Sequence, residues 1–302
     1  VVEDTGPQTS ASTEITVDEN LPATATISEV LQRKSSVVIR DMGGLGTHST
    51  ISIRGTSTRQ NLVLLNGVPL NPDGNSTVNL QDIPLHMLDT LTVYRSHSPL
   101  HLMSSTIGGV LDMQAKDSSS SFHTGIDTWS NTWLRGSRPL KIGESSANIF
   151  ASGLIANNAY PYFDNRNTPF NSSDDLWKDR VNSDVLQGNF LGTWSIKNVE
   201  LVHTGARKVQ GVPGHIIIPT PDIRLHSNRH LTGASSDWST ENIRHDLQFW
   251  HTQLREILDD TQGNLGQGDL MIDWNFHSLG AQGFHRSTLS ETWFPSIGWS
   301  SR

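Results

Sequence analysis

Two kinds of hydrophobic pattern divide the chain near Asp117. After it, long segments alternate. In Leu270–His277, Leu270, Ile272, Trp274 and Phe276 share one face, and Met271, Asp273, Asn275 and His277 the other. In Leu186–Ile196, Leu186, Phe190, Trp194 and Ile196 alternate with Gln187, Asn189, Thr193 and Ser195. Ala147–Ile155 and Ile243–Phe249 repeat the pattern. A strand turns successive side chains to opposite faces, so each segment predicts a strand with one apolar and one polar face. Before Asp117 the apolar runs are short, dense and flanked by glycine. Thr26–Arg33 predicts a short helix, capped by Thr26 or Ser28, with Val30 and Leu31 facing inward. Val37–Arg40, Thr50–Arg54, Asn61–Leu65 and Leu91–Tyr94 predict strands. Asn66-Gly67 predicts a tight hairpin turn. Ile83–Leu88 predicts a helix or turn after Pro84, and Gly108-Gly109-Val110-Leu111 leads into a last strand. The serines Ser118 to Ser121 mark the seam. The expected organisation is a mixed α+β unit over 1–117 and an antiparallel β unit over 118–302.

Alternation alone fits a soluble sandwich. Two features point to a membrane β-barrel instead. The strands approach the ~10 residues of a spanning strand, and Trp194, Trp250, Trp293 and Phe294 fall at expected strand ends, where an interfacial girdle sits. The apolar faces are then expected outward and the polar faces inward. Composition agrees: hydrophobic residues are 34% and charged residues 17%, yet nine Trp and nine Phe and a net charge of -8 do not describe a disordered chain. There is no Cys, so no disulfide, and no segment reaches the roughly 18 apolar residues of a membrane helix. The chain starts at Val1 without Met, which fits a processed or truncated N-terminus. Mild acidity and the lack of a basic run argue against a nucleic-acid partner.

Several motifs then occur in a fixed order: Ile27-Ser28-Glu29-Val30-Leu31-Gln32-Arg33, Val37-Val38-Ile39-Arg40, Gly43-Gly44-Leu45-Gly46, Ile51-Ser52-Ile53-Arg54-Gly55, Leu62 to Asn71 around Asn66-Gly67, Ile83-Pro84, Leu91-Thr92-Val93-Tyr94-Arg95, and Ser105 to Leu111. Over about residues 14 to 117 this resembles the plug domain of TonB-dependent outer-membrane receptors, in particular the cobalamin- and siderophore-receptor branch. The resemblance extends weakly to Phe163-Asp164-Asn165 and Gln210-Gly211-Val212-Pro213-Gly214. It implies a plug followed by a transmembrane barrel. The family barrel has 22 strands, and the chain holds about eight candidates at roughly 10 residues plus loops each. The chain departs from the family at Ser35-Ser36, Asn66, Ser96 and Met103, where Pro-Gly, Asp and two glycines are usual. An unclosed sheet leaves edge groups in lipid at several kcal/mol each, so a fragment or a partner chain is expected. The terminal residues Ser300-Ser301-Arg302 also lack the family's final aromatic.

The resemblance implies import of a scarce ligand, such as a ferric siderophore or cobalamin, across the bacterial outer membrane. TonB and its inner-membrane energising complex would pull a TonB box at or before Val1-Val2. It implies no enzyme and no cofactor. The plug apices would present Thr47, His48, Ser49, Asn71, Asp73 and Asn75 to the ligand, although Pro72-Asp73-Gly74 is a turn signal by itself. Arg54 and Arg95 would latch the plug to acidic groups on the wall, against the alternative of solvated strand-end arginines. Asp164, Asp174, Asp175 and Asp179 share one loop but lack an EF-hand spacing, so a solvated loop is expected rather than a metal site. His203, His245, His251 and His277 fall on strands at unrelated positions, and Asp259-Asp260 in a turn; neither set forms a catalytic constellation. A second reading is a non-transporting structural or interaction subunit of an outer-membrane assembly.

Overall fold

The computed structural model describes residues 12–18, 21–22, 24–34, 37–71, 77–95, 107–117, 120–215, 219–240, 242–266, 268–287 and 296–301. Trp293, Phe294, Asp73 and Asn75 lie outside them.

The N-terminal unit contains β1 (Ser12–Thr16), α1 (Ile27–Lys34), β2 (Val37–Asp41), β3 (Ser49–Ile53), β4 (Asn61–Leu65), β5 (Val68–Pro69), β6 (Leu88–Tyr94) and β7 (Gly109–Ala115). Its main sheet runs β1-β6-β7-β4-β5, with β4 parallel to β7, and β2 pairs with β3 beside it. Helix α1 begins as a capping box: the Glu29 amide donates to Thr26 Oγ1 and the Thr26 amide donates to Glu29 Oε2, both at 3.2 Å. The Asn66-Gly67 turn joins Leu65 to Val68 with φ of 48° and 74°, a left-handed pair that Asn and Gly tolerate. Ile15, Leu31, Ile53, Leu65, Leu88 and Leu91 are fully buried at the centre.

The rest forms one nine-stranded antiparallel sheet with the order β18-β17-β16-β15-β14-β13-β10-β9-β8. Its strands are β8 (Ser121–Ile126), β9 (Thr132–Ile142), β10 (Ser145–Ala156), β13 (Val185–Ile196), β14 (Val199–Gly211), β15 (Arg224–Ser239), β16 (Ile243–Asp260), β17 (Leu270–Ser287) and β18 (Ser296–Ser301). A small hairpin, β11 (Pro161–Asp164) with β12 (Leu176–Asp179), sits in the connection from β10 to β13. Tight turns at 143–144 and 197–198 lie at one end of the sheet, and the longer connection 157–184 lies at the other. Among the described residues β8 and β18 each pair on one side only.

Register decides which face is which. Side chains directly opposite across an antiparallel pair point the same way. Gln187, Asn189, Lys208, Arg229, Gln248 and Thr252 bond to the N-terminal unit and define the inner face. On β13 and β10 the expectation holds, with Leu186, Phe190, Trp194, Ala147 and Ile149 on the outer face. On β17 it reverses. Thr252 pairs with Ser278, Leu254 with Phe276, Glu256 with Trp274, and Asp260 with Leu270. Leu270, Ile272, Trp274 and Phe276 therefore face inward. Strand length supplies the reason. At ~3.3 Å per residue and a tilt of ~40°, the 18 residues of β16 or β17 rise well past an apolar band of ~25 Å. In a membrane barrel strands of this length carry the long-loop ends above the lipid, where an outward apolar face gains nothing. Trp250 also departs from a girdle position. It is buried on the inner face against the N-terminal unit, together with Phe150, Leu191, Val202 and Leu231. The inner face is polar where it bonds the unit and apolar where it packs on it.

Candidate functional site

The seam between the N-terminal unit and the inner face carries the only buried ion pairs among the described residues. Asp82, in the short turn Leu80–Asp82, lies 2.6 Å from Lys208 Nζ on β14 and 3.5 Å from Arg229 Nε on β15. All three side chains are at most 4% exposed. Arg229 Nε makes no hydrogen bond, so Lys208 is the stronger partner and Arg229 adds charge. Burial pushes the Asp82 carboxyl up, but Lys208 and then Arg229 outweigh it and hold the group below the usual carboxylate range. The same cations anchor backbone. Lys208 Nζ donates to Gly46 O at 3.2 Å, and Arg229 Nη1 donates to Leu70 O at 3.0 Å. Around them, Asn189 donates to Asp82 O, Gln187 to Gln81 O, Thr252 to Pro69 O and Gln248 to Asn66 O. Asn158, in the loop after β10, both accepts from the Leu45 amide and donates to Leu45 O, each at 3.0 Å.

Two glycines allow this close approach. Gly46 has φ +74°, and a Cβ there would stand 2.8 Å from Val185. A Cβ on Gly233 would stand 2.7 Å from Val68.

The expected ligand residues divide. Thr47 is half-buried, and its hydroxyl donates to Gly43 O and Gly44 O, which fixes the apex turn. His48 is half-buried beside the ionic cluster; burial and then Lys208 lower its pKa, and Asp82 opposes them. Ser49 is fully buried, shares a 2.5 Å hydrogen bond with Ser28, and its amide donates to Asn79 Oδ1. Asn71 is buried, accepts from the Val63 amide and donates to Asn61 O. Both side chains hydrogen-bond within the unit. At the expected latch, Arg54 Nη1 donates to Arg95 O at 3.2 Å and Arg95 Nη2 to Thr13 Oγ1 at 2.5 Å, and neither forms an ion pair among the described residues. Among the described residues the buried ionic contact with these nine strands runs through Asp82. Its sequence signal was an acid inside an apolar stretch, between Leu80 and Ile83.

In the aspartate loop, Asp164 pairs with Lys178 at 2.6 Å and Asp174 accepts from Thr168. Among the described residues no group of three or more His, Asp or Glu is placed to hold a metal. The histidines are not at unrelated positions: on the outer face His203 stacks on His230 and His251 on His277, and His245 Nδ1 lies 2.8 Å from His285 Nδ1.

Residues 5–110 match the TonB-dependent Receptor Plug Domain. The chain carries a TonB-dependent receptor plug and part of the barrel around it. Similarity to curated proteins includes the vitamin B12 transporter BtuB of Vibrio cholerae serotype O1, at 32% identity over 36% of this chain and 18% of that protein. BtuB of Photobacterium profundum is 28% identical over 74% of this chain and 36% of that protein. Among solved structures, the ferric citrate transporter FecA superposes with a TM-score of 0.66 at 13% identity, covering 96% of this chain and 46% of FecA. The siderophore receptor PirA of Acinetobacter baumannii gives 0.67 at 14% identity, covering 96% and 47%. At those identities the structures establish the fold: a plug and nine strands that align with about half of a receptor barrel. The matches span about a fifth to a third of the curated relatives and about half of the solved receptors. TonB-dependent receptors are non-enzymatic outer-membrane transporters, and the N-terminal unit is the plug. In outer-membrane barrels the tight turns lie on the periplasmic side, which sets the apex residues Gly43 to His48 toward the long, extracellular loops.

Proposed function

We propose that this receptor imports a scarce ligand of the ferric siderophore or cobalamin class, driven through TonB by the inner-membrane proton gradient. Residues 1–117 act as the plug and 118–302 as barrel wall. The observation that carries the reading is the Asp82–Lys208–Arg229 cluster. It ties the plug to the wall and, through Gly46 O and the neighbouring His48, to the apex turn where a ligand arrives. Ligand at the apex thereby acts on the contacts that hold the plug closed. A ligand shifts such an equilibrium only by its differential affinity for the two plug states, and contacts on Thr47 and His48 supply that difference. Asp73 and Asn75 complete the proposed apex. FecA is described as a ferric citrate transporter, PirA as a siderophore receptor and BtuB as a vitamin B12 transporter, which supports the class without choosing within it. Cells carrying or lacking the gene, with TonB present or deleted, are given labelled ferric siderophores and cobalamin. Gene- and TonB-dependent accumulation of one of them is expected; equal accumulation in all strains refutes import.

A second reading, an interaction subunit without transport, draws on the one-sided pairing of β8 and β18, which offers backbone groups to further strands. It predicts stable association with another outer-membrane chain and no TonB-dependent accumulation.

A further inference from the structure

A cavity of about 310 Å³ lies between the plug and strands β8 to β10. A smaller one of about 90 Å³ continues it toward Leu45 and Gly46 of the apex turn. Both are lined by Ala25, Leu85, His86 and Arg135, so the two meet at the His86–Arg135 level. His123 of β8 lines the larger cavity as well.

The charge in this seam is unbalanced. Arg135 lies over the Trp133 ring at 5.5 Å and forms no ion pair among the described residues. His86 Nε2 is buried with no hydrogen-bond partner. Burial first, then Arg135 and His123, depress the His86 imidazole to about 3. The other charged lining groups are Lys116 and Asp18, one of each sign, and both are already engaged. One guanidinium, the neutral imidazole of His86 and the exposed His123 thus converge on a cavity that runs along the plug, beside Asp18 and Lys116, one of each sign. Arg135 is half-buried, and a guanidinium that forms no ion pair at the wall of a cavity is complementary to an anion that visits.

We propose that the plug–wall seam at Arg135, His86 and His123 takes an anionic oxygen group of the imported ligand, a carboxylate or ionised hydroxyl, as the ligand passes the plug. The inference rests on the import reading and narrows it: the ligand is acid-bearing rather than uncharged. Arg135 supplies the fixed charge. His123, directly across the strand pair from Arg135, donates beside it, and His86 donates from the plug side, so that its Nε2 gains the partner it lacks. The Trp133 face holds the guanidinium when the seam is empty.

The test uses the purified chain in detergent at low salt, labelled at histidine with 15N and assigned with His86→Gln. Citrate is the anionic probe and its uncharged triamide the control. Citrate is expected to shift the His86 and His123 ring resonances in a saturable way, and the triamide to leave them in place. Arg135→Lys retains the response, and Arg135→Gln weakens citrate binding at least tenfold. No saturable shift with citrate, or an equal shift with the triamide, overturns the proposal on the unmodified protein alone, whether or not Arg135→Gln folds. The import reading fails separately. TonB-dependent accumulation of an uncharged ligand, unchanged by Arg135→Gln, overturns the anionic seam and leaves import standing; loss of all accumulation with an intact citrate response does the reverse.

Discussion

Asp82 of the plug and Lys208 of the wall meet at 2.6 Å with side chains 4% and 3% exposed. Their chain separation is 126 residues, so the pair reports how two separately folded parts are assembled. Removing one member of a buried pair leaves the other uncompensated, at about 3–5 kcal/mol. Asp82→Asn leaves both Lys208 and Arg229 in that state. Its plug is expected to be cleaved by protease under conditions where the unmodified plug resists, while β13 to β17 stay protected. Equal resistance in limited proteolysis removes the lock from the account.

Close packing at Gly233 gives a steric version of the same test. A Cβ there meets Val68 at 2.7 Å, on the strand β5 that leans on the wall. Gly233→Ala is expected to lower the melting temperature, at a cost of about 1–3 kcal/mol from overpacking. Val68→Ala on that background is expected to recover most of it. A Gly233→Ala protein that melts like the parent shows that the plug does not approach β15 as described.

Asp112 predicts a pH effect inside the plug. Burial raises its carboxyl to about 6, against the hydrogen bonds from Gln114 and Gly67. The folded plug binds this proton more tightly than the unfolded chain. That contribution is complete below about pH 4 and is lost as pH rises through 6, by about 3 kcal/mol at most for a shift near two units. Asp112→Asn lacks the titration. Its melting temperature relative to the parent should rise between pH 4 and pH 7, and a constant difference across that range would contradict the assignment.

Outer and inner tryptophans separate in lipid. Trp194 sits on the outer face near a tight turn, and Trp274 faces inward on β17 opposite Glu256. Brominated lipid is expected to quench Trp194 and spare Trp274. The Trp194→Phe protein should therefore lose a share of the quenching, and Trp274→Phe should not. The opposite result would restore an outward apolar face on β17.

Much of the fold was legible because local chemistry dictated it. The short helix opening near Thr26, the Asn66-Gly67 turn and the alternation of β10 and β13 each depend on neighbours in sequence. What was hidden depends on register. A period of two shows that Phe276 and His277 point opposite ways, but only the pairing of Leu254 with Phe276 shows which way is in. The same holds for the histidines, which meet only across strands. A charge beside an apolar strand, as at Arg54 and Arg95, shows in sequence that a partner is needed but not which one; among the described residues they bond Thr13 and the Arg95 carbonyl, while Asp82, in a turn, pairs with Lys208.

The chain has no cysteine, so an introduced pair is unambiguous. Val68→Cys with Gly233→Cys joins β5 of the plug to β15 of the wall where a Gly233 Cβ would meet Val68 at 2.7 Å. Oxidised cells should bind ligand normally but lose TonB-dependent accumulation, and a reductant should restore it. Full accumulation with the disulfide intact would show that the plug need not move against this wall, and would contradict the account at its centre.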